Sequence, residues 1–354
     1  MIEHELRVLY LFAGKRKQDE EKYKKGLMPD TYLVGLNRLS QYNIEAKYIE
    51  NSLSEALRAV SFNFANVPSL FASYAYDIVF SGTNPGLVFL NKYLMLNMRS
   101  QWVVYNTFLT NMLRRNPRGI KRKILDQSLR SSAAIFNPST PQRDFLLEQG
   151  IDASKLFYLP YGVDREFIDS HRGRPRLVTE PYIFSAGKDM GRDYQTLIDA
   201  VRGLPIQLYI GASPRNFKHI HDIPENVHIT FYTPVDLVTM YEHAACVVIP
   251  TFHEDRLDAS DCSGQYVLLE SMMSGKAVIA SDRSTIYDYV VPDEHAILVE
   301  PENVDALRDS IVSLVHDEER ALRIGNAARE RARGSFTTER FARDFAHLLK
   351  GLYA

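Results

Sequence analysis

The chain has 354 residues, 45% of them hydrophobic and 24% charged, with a formal net charge of −2. That is enough for two soluble domains, each burying its own core. Only two cysteines occur, Cys246 and Cys262, which excludes a disulfide framework and fits a reducing compartment; no run approaches the ~18 apolar residues of a spanning helix.

The first residues, MIEHELRVLYLF, place acidic side chains ahead of the first apolar run, the reverse of a signal peptide, so a cytoplasmic protein is expected. Residues 7–12 read as a strand ending at Ala13-Gly14. A basic cluster follows (Lys15, Arg16, Lys17, Lys22, Lys24, Lys25), diluted by Asp19, Glu20 and Glu21. Residues 29–41 space Leu33, Leu36 and Leu39 as a helix would. Strands are expected at 44–49, 77–81 (leading into Gly82-Thr83), 102–106 and 133–137, each separated by a helix-length segment. A second basic cluster, Arg114, Arg115, Arg118, Lys121, Arg122 and Lys123, lies among them. Residues 1–170 carry 22 Lys and Arg against 17 Asp and Glu, and the rest 20 against 27. That asymmetry suits an anionic partner, such as the inner face of a membrane or a charged acceptor, or simply two solvated surfaces. No nucleic-acid partner is expected.

A break follows Leu159-Pro-Tyr-Gly-Val-Asp164, and residues 166–181 have the polar, Pro- and Gly-containing chemistry of a linker. Alternation resumes with strands at 182–185, 206–210, 227–231, 246–250, 277–281 and 296–299. Strands alternating with helices argue for parallel sheets covered on both faces, hence two Rossmann-like domains, 1–165 and 182–335. Residues 336–354 carry Phe336, Phe341, Phe345, Leu348, Leu349 and Leu352 on a helical stripe, expected to pack near the domain interface.

Two segments carry chemistry. In Ser263-Gly-Gln-Tyr-Val-Leu-Leu-Glu270, a glycine loop opens a helix. Backbone N–H groups at Gly264 can approach a ligand closely, and the helix start suits a diphosphate. Glu270, two turns along, is an isolated carboxylate among apolar neighbours; a sugar diol or a surface ion pair would each satisfy it. In Gly187-Lys-Asp-Met-Gly-Arg192, a strand end delivers two bases, Lys188 and Arg192, that can meet the charges of a diphosphate if the loop folds back. His and Cys lack metal-ligand spacing, no tight Asp-x-Asp lies near these loops, and no G-x-G-x-x-G follows the first strand.

The segment 263–282 resembles the donor-binding stretch of retaining family-4 glycosyltransferases (group 1), E-G-F-G-x-x-x-x-E-A-M-x-x-G-x-P-V-I-A-S-D, and a variant reading S-G-Q-x-V-L-L-E-A-M. The loop 187–192 resembles that family's paired bases, and residues 159–164 its V-I-P-N-G-V-D. The resemblance implies a GT-B fold with parallel sheets facing an interdomain cleft. It implies metal-independent, retaining transfer of a sugar from a UDP- or GDP-sugar, with no cofactor. Glu270 matches the ribose-holding Glu. Gly187, Lys188, Arg192, Ser263, Gly264 and Gln265 fall at donor positions, and Gly14 at a small-residue loop near the donor phosphate. The family's sugar-contacting Glu would fall on Cys262, leaving Asp261 or Glu254 as its substitute. Asn106 stands where the family often has a His. The acceptor, anionic or lipid-linked, would lie on the N-terminal domain. A nucleotide-sugar epimerase and a non-catalytic nucleotide-sugar binder remain as alternatives. His253 is the one His near the donor loop.

Overall fold

A computed structural model describes residues 5–12, 14–60, 64–82, 85–256 and 260–353. The chain divides into two compact units. The first comprises residues up to 25, 30–160 and 338–354; the second comprises 26–29 and 161–337.

In the first unit, β1 (Leu6–Leu11), β2 (Ile44–Tyr48), β3 (Ile78–Ser81), β4 (Gln101–Tyr105), β5 (Ala134–Asn137) and β6 (Leu156–Tyr158) form one sheet in the order β2-β1-β3-β4-β5-β6. Every neighbouring pair is parallel. All four residues of β3 and of β5 are buried, as expected of central parallel strands covered on both faces. Alternation along each strand splits the core in two. Leu9, Val79, Trp102 and Ile135 pack with Leu70, Leu109, Leu129 and Leu146. The other face is aromatic, and it receives the helix Thr338–Gly351 from the end of the chain. The Phe345 ring centroid lies 4.9 Å from that of Phe80, 5.6 Å from Phe136 and 6.3 Å from Tyr10, while Phe341 lies 6.0 Å from Tyr105. Of the apolar stripe read in residues 336–354, Phe341 and Phe345 are thus part of the first unit's core, while Phe336 packs against Tyr289 in the second unit, ring centroids 5.0 Å apart.

Two further expectations change. Residues 29–41 form no continuous helix. Two 3₁₀ turns, Asp30–Leu33 and Leu39–Tyr42, are separated by Val34 and Gly35 at φ of 53° and 79°. A left-handed pair ends a right-handed helix, and buried Asp30 holds the resulting turn through Asn37 at 3.0 Å and Arg38 at 2.5 Å. The segment 166–181 is not a plain linker either: Arg165–Ser170 is helical, started by the Asp164 side chain accepting from the Phe167 amide at 2.9 Å. The unit boundary accordingly falls at 160–161.

In the second unit, β7 (Tyr182–Ala186), β8 (Gln207–Gly211), β9 (Val227–Thr230), β10 (Val247–Ile249), β11 (Val278–Ser281) and β12 (Ile297–Val299) form a parallel sheet ordered β12-β11-β10-β7-β8-β9. From β7 the chain builds outward to β9, then returns to β10 on the other side of β7. The order therefore reverses between β7 and β10, and that reversal opens a crevice beyond their carboxyl ends.

Helices pack tightly on this sheet. Gly325, in the helix Glu318–Ser335, has no room for a side chain: a Cβ would run into the Gly275 carbonyl oxygen and lie 3.0 Å from its carbon and 3.1 Å from the Ala277 nitrogen. These are backbone atoms that cannot rotate away. Gly325→Ala should therefore cost about 1–3 kcal/mol and lower the melting temperature by several degrees. An unchanged thermal melt would refute this close approach.

Candidate functional site

The loops after β7 and β10 meet at the crevice and are laced together by backbone bonds. Asp193 N–H donates to Pro250 O at 3.1 Å, Phe252 N–H donates to Gly191 O at 3.1 Å, and Arg192 bridges Thr251. Asp193 caps the helix Tyr194–Val201, accepting from the Thr196 amide. The turn 187–193 is thus fixed at both ends.

Its central feature is Arg192, only 4% exposed. One guanidinium nitrogen, Nη2, donates to Ala186 O at 2.6 Å; Nε and Nη1 have no hydrogen-bond partner among the described residues. The guanidinium crosses Gly187 (φ 142°) so closely that a Cβ there would lie 2.7 Å from Nη2, so the glycine is needed to admit it. Nη1 also comes within 3.2 Å of where a Gly264 Cβ would stand. Gly264 (φ 97°) begins the helix Gln265–Met273 and offers no side-chain cap to its first N–H groups. A buried cation with two free donors beside an uncapped helix start is an anion site in all but occupant.

Glu270 sits in the second turn of that helix, partly reachable by solvent but surrounded by protein. Tyr241, from the helix Pro234–His243, donates its hydroxyl to Glu270 Oε2 at 3.1 Å. Burial pushes the carboxyl up to about 7, against the pull of that hydrogen bond.

A pocket of about 290 Å³ adjoins the helix start, lined by Ile249, Ser263, Gly264, Gln265, Arg283 and Thr285 among others. Ser263 Oγ and Gln265 Oε1 are buried there without partners among the described residues.

The remaining expected residues are placed as follows. Lys188 is largely exposed, with its ammonium 4.4 Å from the Phe231 ring centroid; the partial desolvation of its ammonium, with neighbouring Arg215 assisting, lowers its pKa. Asp261 is buried, and its carbonyl accepts from Thr285 Oγ1 at 3.2 Å. Glu254 is bound to Ser284, accepting from its amide and, at 2.9 Å, from its hydroxyl. His253 pairs with Glu302 at 3.7 Å. Gly14 follows β1 in the first unit, and its carbonyl accepts from Arg58 Nη2 at 3.4 Å. Thr83 and Ala13 lie outside the described residues.

Asn106 requires a correction. Its side chain is fully buried; Oδ1 accepts from the Leu109 amide at 3.1 Å, and Nδ2 donates to Asn137 at 2.9 Å. It holds the turn leading into the helix Leu109–Arg115 and ties two strand ends together, fully buried and turned away from any substrate. Two residues were not foreseen. Tyr241 carries no local motif, being one aromatic on an ordinary helix. Arg283 follows a buried strand as a lone base, a position whose burial no periodicity reveals.

Among the described residues, no three His, Cys, Asp or Glu side chains are grouped to hold a metal ion, and no helix is long and apolar enough to cross a membrane.

Residues 194–331 match the family model of glycosyl transferases group 1. The chain is 25% identical over 247 residues to D-inositol 3-phosphate glycosyltransferase of Corynebacterium glutamicum (strain R), covering 61% of this chain and 57% of that protein. It is 25% identical over 219 residues to the GDP-mannose-dependent alpha-(1-6)-phosphatidylinositol monomannoside mannosyltransferase of Mycobacterium tuberculosis, covering 56% and 57%. The match thus spans little over half the length of these curated relatives. Among solved structures, sucrose-phosphate synthase from Thermosynechococcus elongatus superposes with a TM-score of 0.71 at 17% identity over 99% of both chains. Anabaena HepE in complex with UDP-glucose gives 0.69 at 14% identity, over 98% of this chain and 100% of that one. These likenesses establish the fold, the GT-B arrangement of two parallel α/β units.

Proposed function

We propose that this chain, whose residues 194–331 form a glycosyl transferases group 1 domain, is a retaining glycosyltransferase that takes its sugar from a nucleotide diphosphate sugar without a metal ion. The observation that carries this reading is Arg192, buried, with two free donors beside the uncapped start of the helix Gln265–Met273. A diphosphate fits that place. Its charge would meet the guanidinium fork and the helix N–H groups, the part a divalent cation would otherwise take. Glu270 would accept both hydroxyl protons of the ribose, and exposed Lys188 would add charge at the rim.

In the transfer, the bond from the sugar's anomeric carbon to the leaving phosphate oxygen breaks. The acceptor oxygen bonds that carbon on the same face, and its proton passes to the leaving phosphate. No protein nucleophile is required. HepE, solved with UDP-glucose, supports a nucleotide-sugar donor. The name of the mycobacterial relative, a phosphatidylinositol monomannoside mannosyltransferase, supports a lipid-linked acceptor. Arg115, Arg118, Lys121 and Lys123, exposed around Ile120 in the first unit, would serve such an anionic acceptor or the membrane carrying it.

The test is release of UDP or GDP from a panel of nucleotide sugars in excess chelator, with and without anionic phospholipid vesicles. Slow release from one donor is expected. Turnover only on adding metal would overturn the metal-independent part. Binding without turnover under every condition would favour a non-catalytic nucleotide-sugar binder.

A further inference from the structure

We propose that the transferred sugar is acidic: the pocket beside the helix start is built for a carboxylate, and the donor is a nucleotide-activated uronate. This rests on the donor-site reading above and deepens it.

The pocket contains a second buried cation. Arg283 is 8% exposed, and its side chain makes no hydrogen bond or ion pair with any described residue. A buried guanidinium without a counter-charge is unfavourable unless a ligand supplies one. Arg192 already answers the diphosphate, so Arg283 calls for a further anion. The hydroxyls of a neutral hexose could satisfy its N–H groups but not its charge. A carboxylate does both, through the two-pronged geometry that guanidinium favours.

The neighbouring groups narrow the choice. Thr285 Oγ1 donates its only proton to Asp261 O at 3.2 Å, so it must accept from Gln265 Nε2, which lies 3.1 Å away. That fixes the Gln265 amide with Oε1 on the free side, where it has no partner. Oε1 can only accept, so it requires a hydroxyl donor; Ser263 Oγ, also without a partner, can donate or accept. One cationic fork, one pure acceptor and one hydroxyl match a ring that carries a carboxylate beside hydroxyls.

The test compares donors that differ only at C6: UDP-glucuronate with UDP-glucose, and GDP-mannuronate with GDP-mannose, alongside free UDP and GDP. Binding is measured by calorimetry for the wild type, Arg283→Ala and Arg283→Lys. In at least one pair the uronate should bind about tenfold or more tightly than its neutral partner. Arg283→Ala should abolish that preference while leaving affinity for the free nucleotide within about twofold, and Arg283→Lys should keep part of it. Equal or tighter binding of the neutral sugar by the wild type would overturn the proposal. So would an equal loss of free nucleotide in Arg283→Ala, which would assign Arg283 to the diphosphate. Failure of any nucleotide to bind would instead refute the donor-site reading itself, and this proposal with it.

Discussion

Arg192→Ala should reduce nucleotide-sugar turnover by about 10²–10³-fold, the usual cost of removing one preorganised donor from a developing negative charge. The variant should nonetheless fold. Among the described residues the guanidinium makes a single hydrogen bond, to Ala186 O, and is otherwise a desolvated charge without a partner. Its removal trades that bond and some packing for relief of an unpaired buried cation, so melting should shift by only a few degrees. The contrast appears on adding UDP or GDP, which should raise the melting temperature of the wild type but not of the variant. Arg192→Lys should recover little, since an ammonium cannot span Ala186 O and a phosphate as the guanidinium fork does. Turnover within about threefold of wild type in Arg192→Ala would refute the diphosphate assignment.

The second large effect concerns Glu270 and has a pH signature. Burial raises its folded pKa to about 7, from the 4.5 usual for a glutamate. Between those two values the native state holds a proton that the unfolded state has released, so ligand-free stability falls as pH rises across that window. The contribution is on the order of 3 kcal/mol. Glu270→Gln should flatten that slope. Ligand binding should act in the opposite direction. Ribose hydroxyls donate to the charged carboxylate, so nucleotide affinity should rise as pH passes through 7. Binding at pH 6 should release a proton, measurable by calorimetry in buffers of different ionisation enthalpy. Glu270→Ala should lose roughly 100-fold in affinity, the worth of hydrogen bonds to a charged group. Affinity independent of pH, with no proton release, would remove Glu270 from the ribose.

The residues differ in how far the chain reveals them. Eleven of the twelve strands described were visible because buried parallel strands are short β-rich runs between helix-length segments; β6, three residues ending at an exposed Tyr158, was not. The misread stretch, 29–41, has true helical spacing, but Val34 and Gly35 turn left-handed around the buried Asp30. A buried ion pair within the stretch, Asp30 with Arg38, outweighs the helical spacing. Arg192 was legible as a base after a glycine turn; its lack of partners was not, because that depends on loops meeting from β7 and β10. Asn106 was read by position alone, and its side chain turned out to be taken up by the Leu109 amide and Asn137. Arg283 shows the converse: nothing distinguishes one base from another in sequence until the fold removes its solvent.

The return of the last helix has a consequence for synthesis. Tyr10, Phe80, Tyr105 and Phe136 are made early, but the rings that cover them, Phe341 and Phe345, emerge last. At about 5–20 residues per second, the ribosome needs roughly 10–35 s to pass through residues 161–337. For that time the first unit presents a bare aromatic face, while the second is almost continuous in the chain and can close on its own. The order of folding is then the reverse of the order of translation, and a chain cut short before residue 338 leaves that aromatic face without its cover.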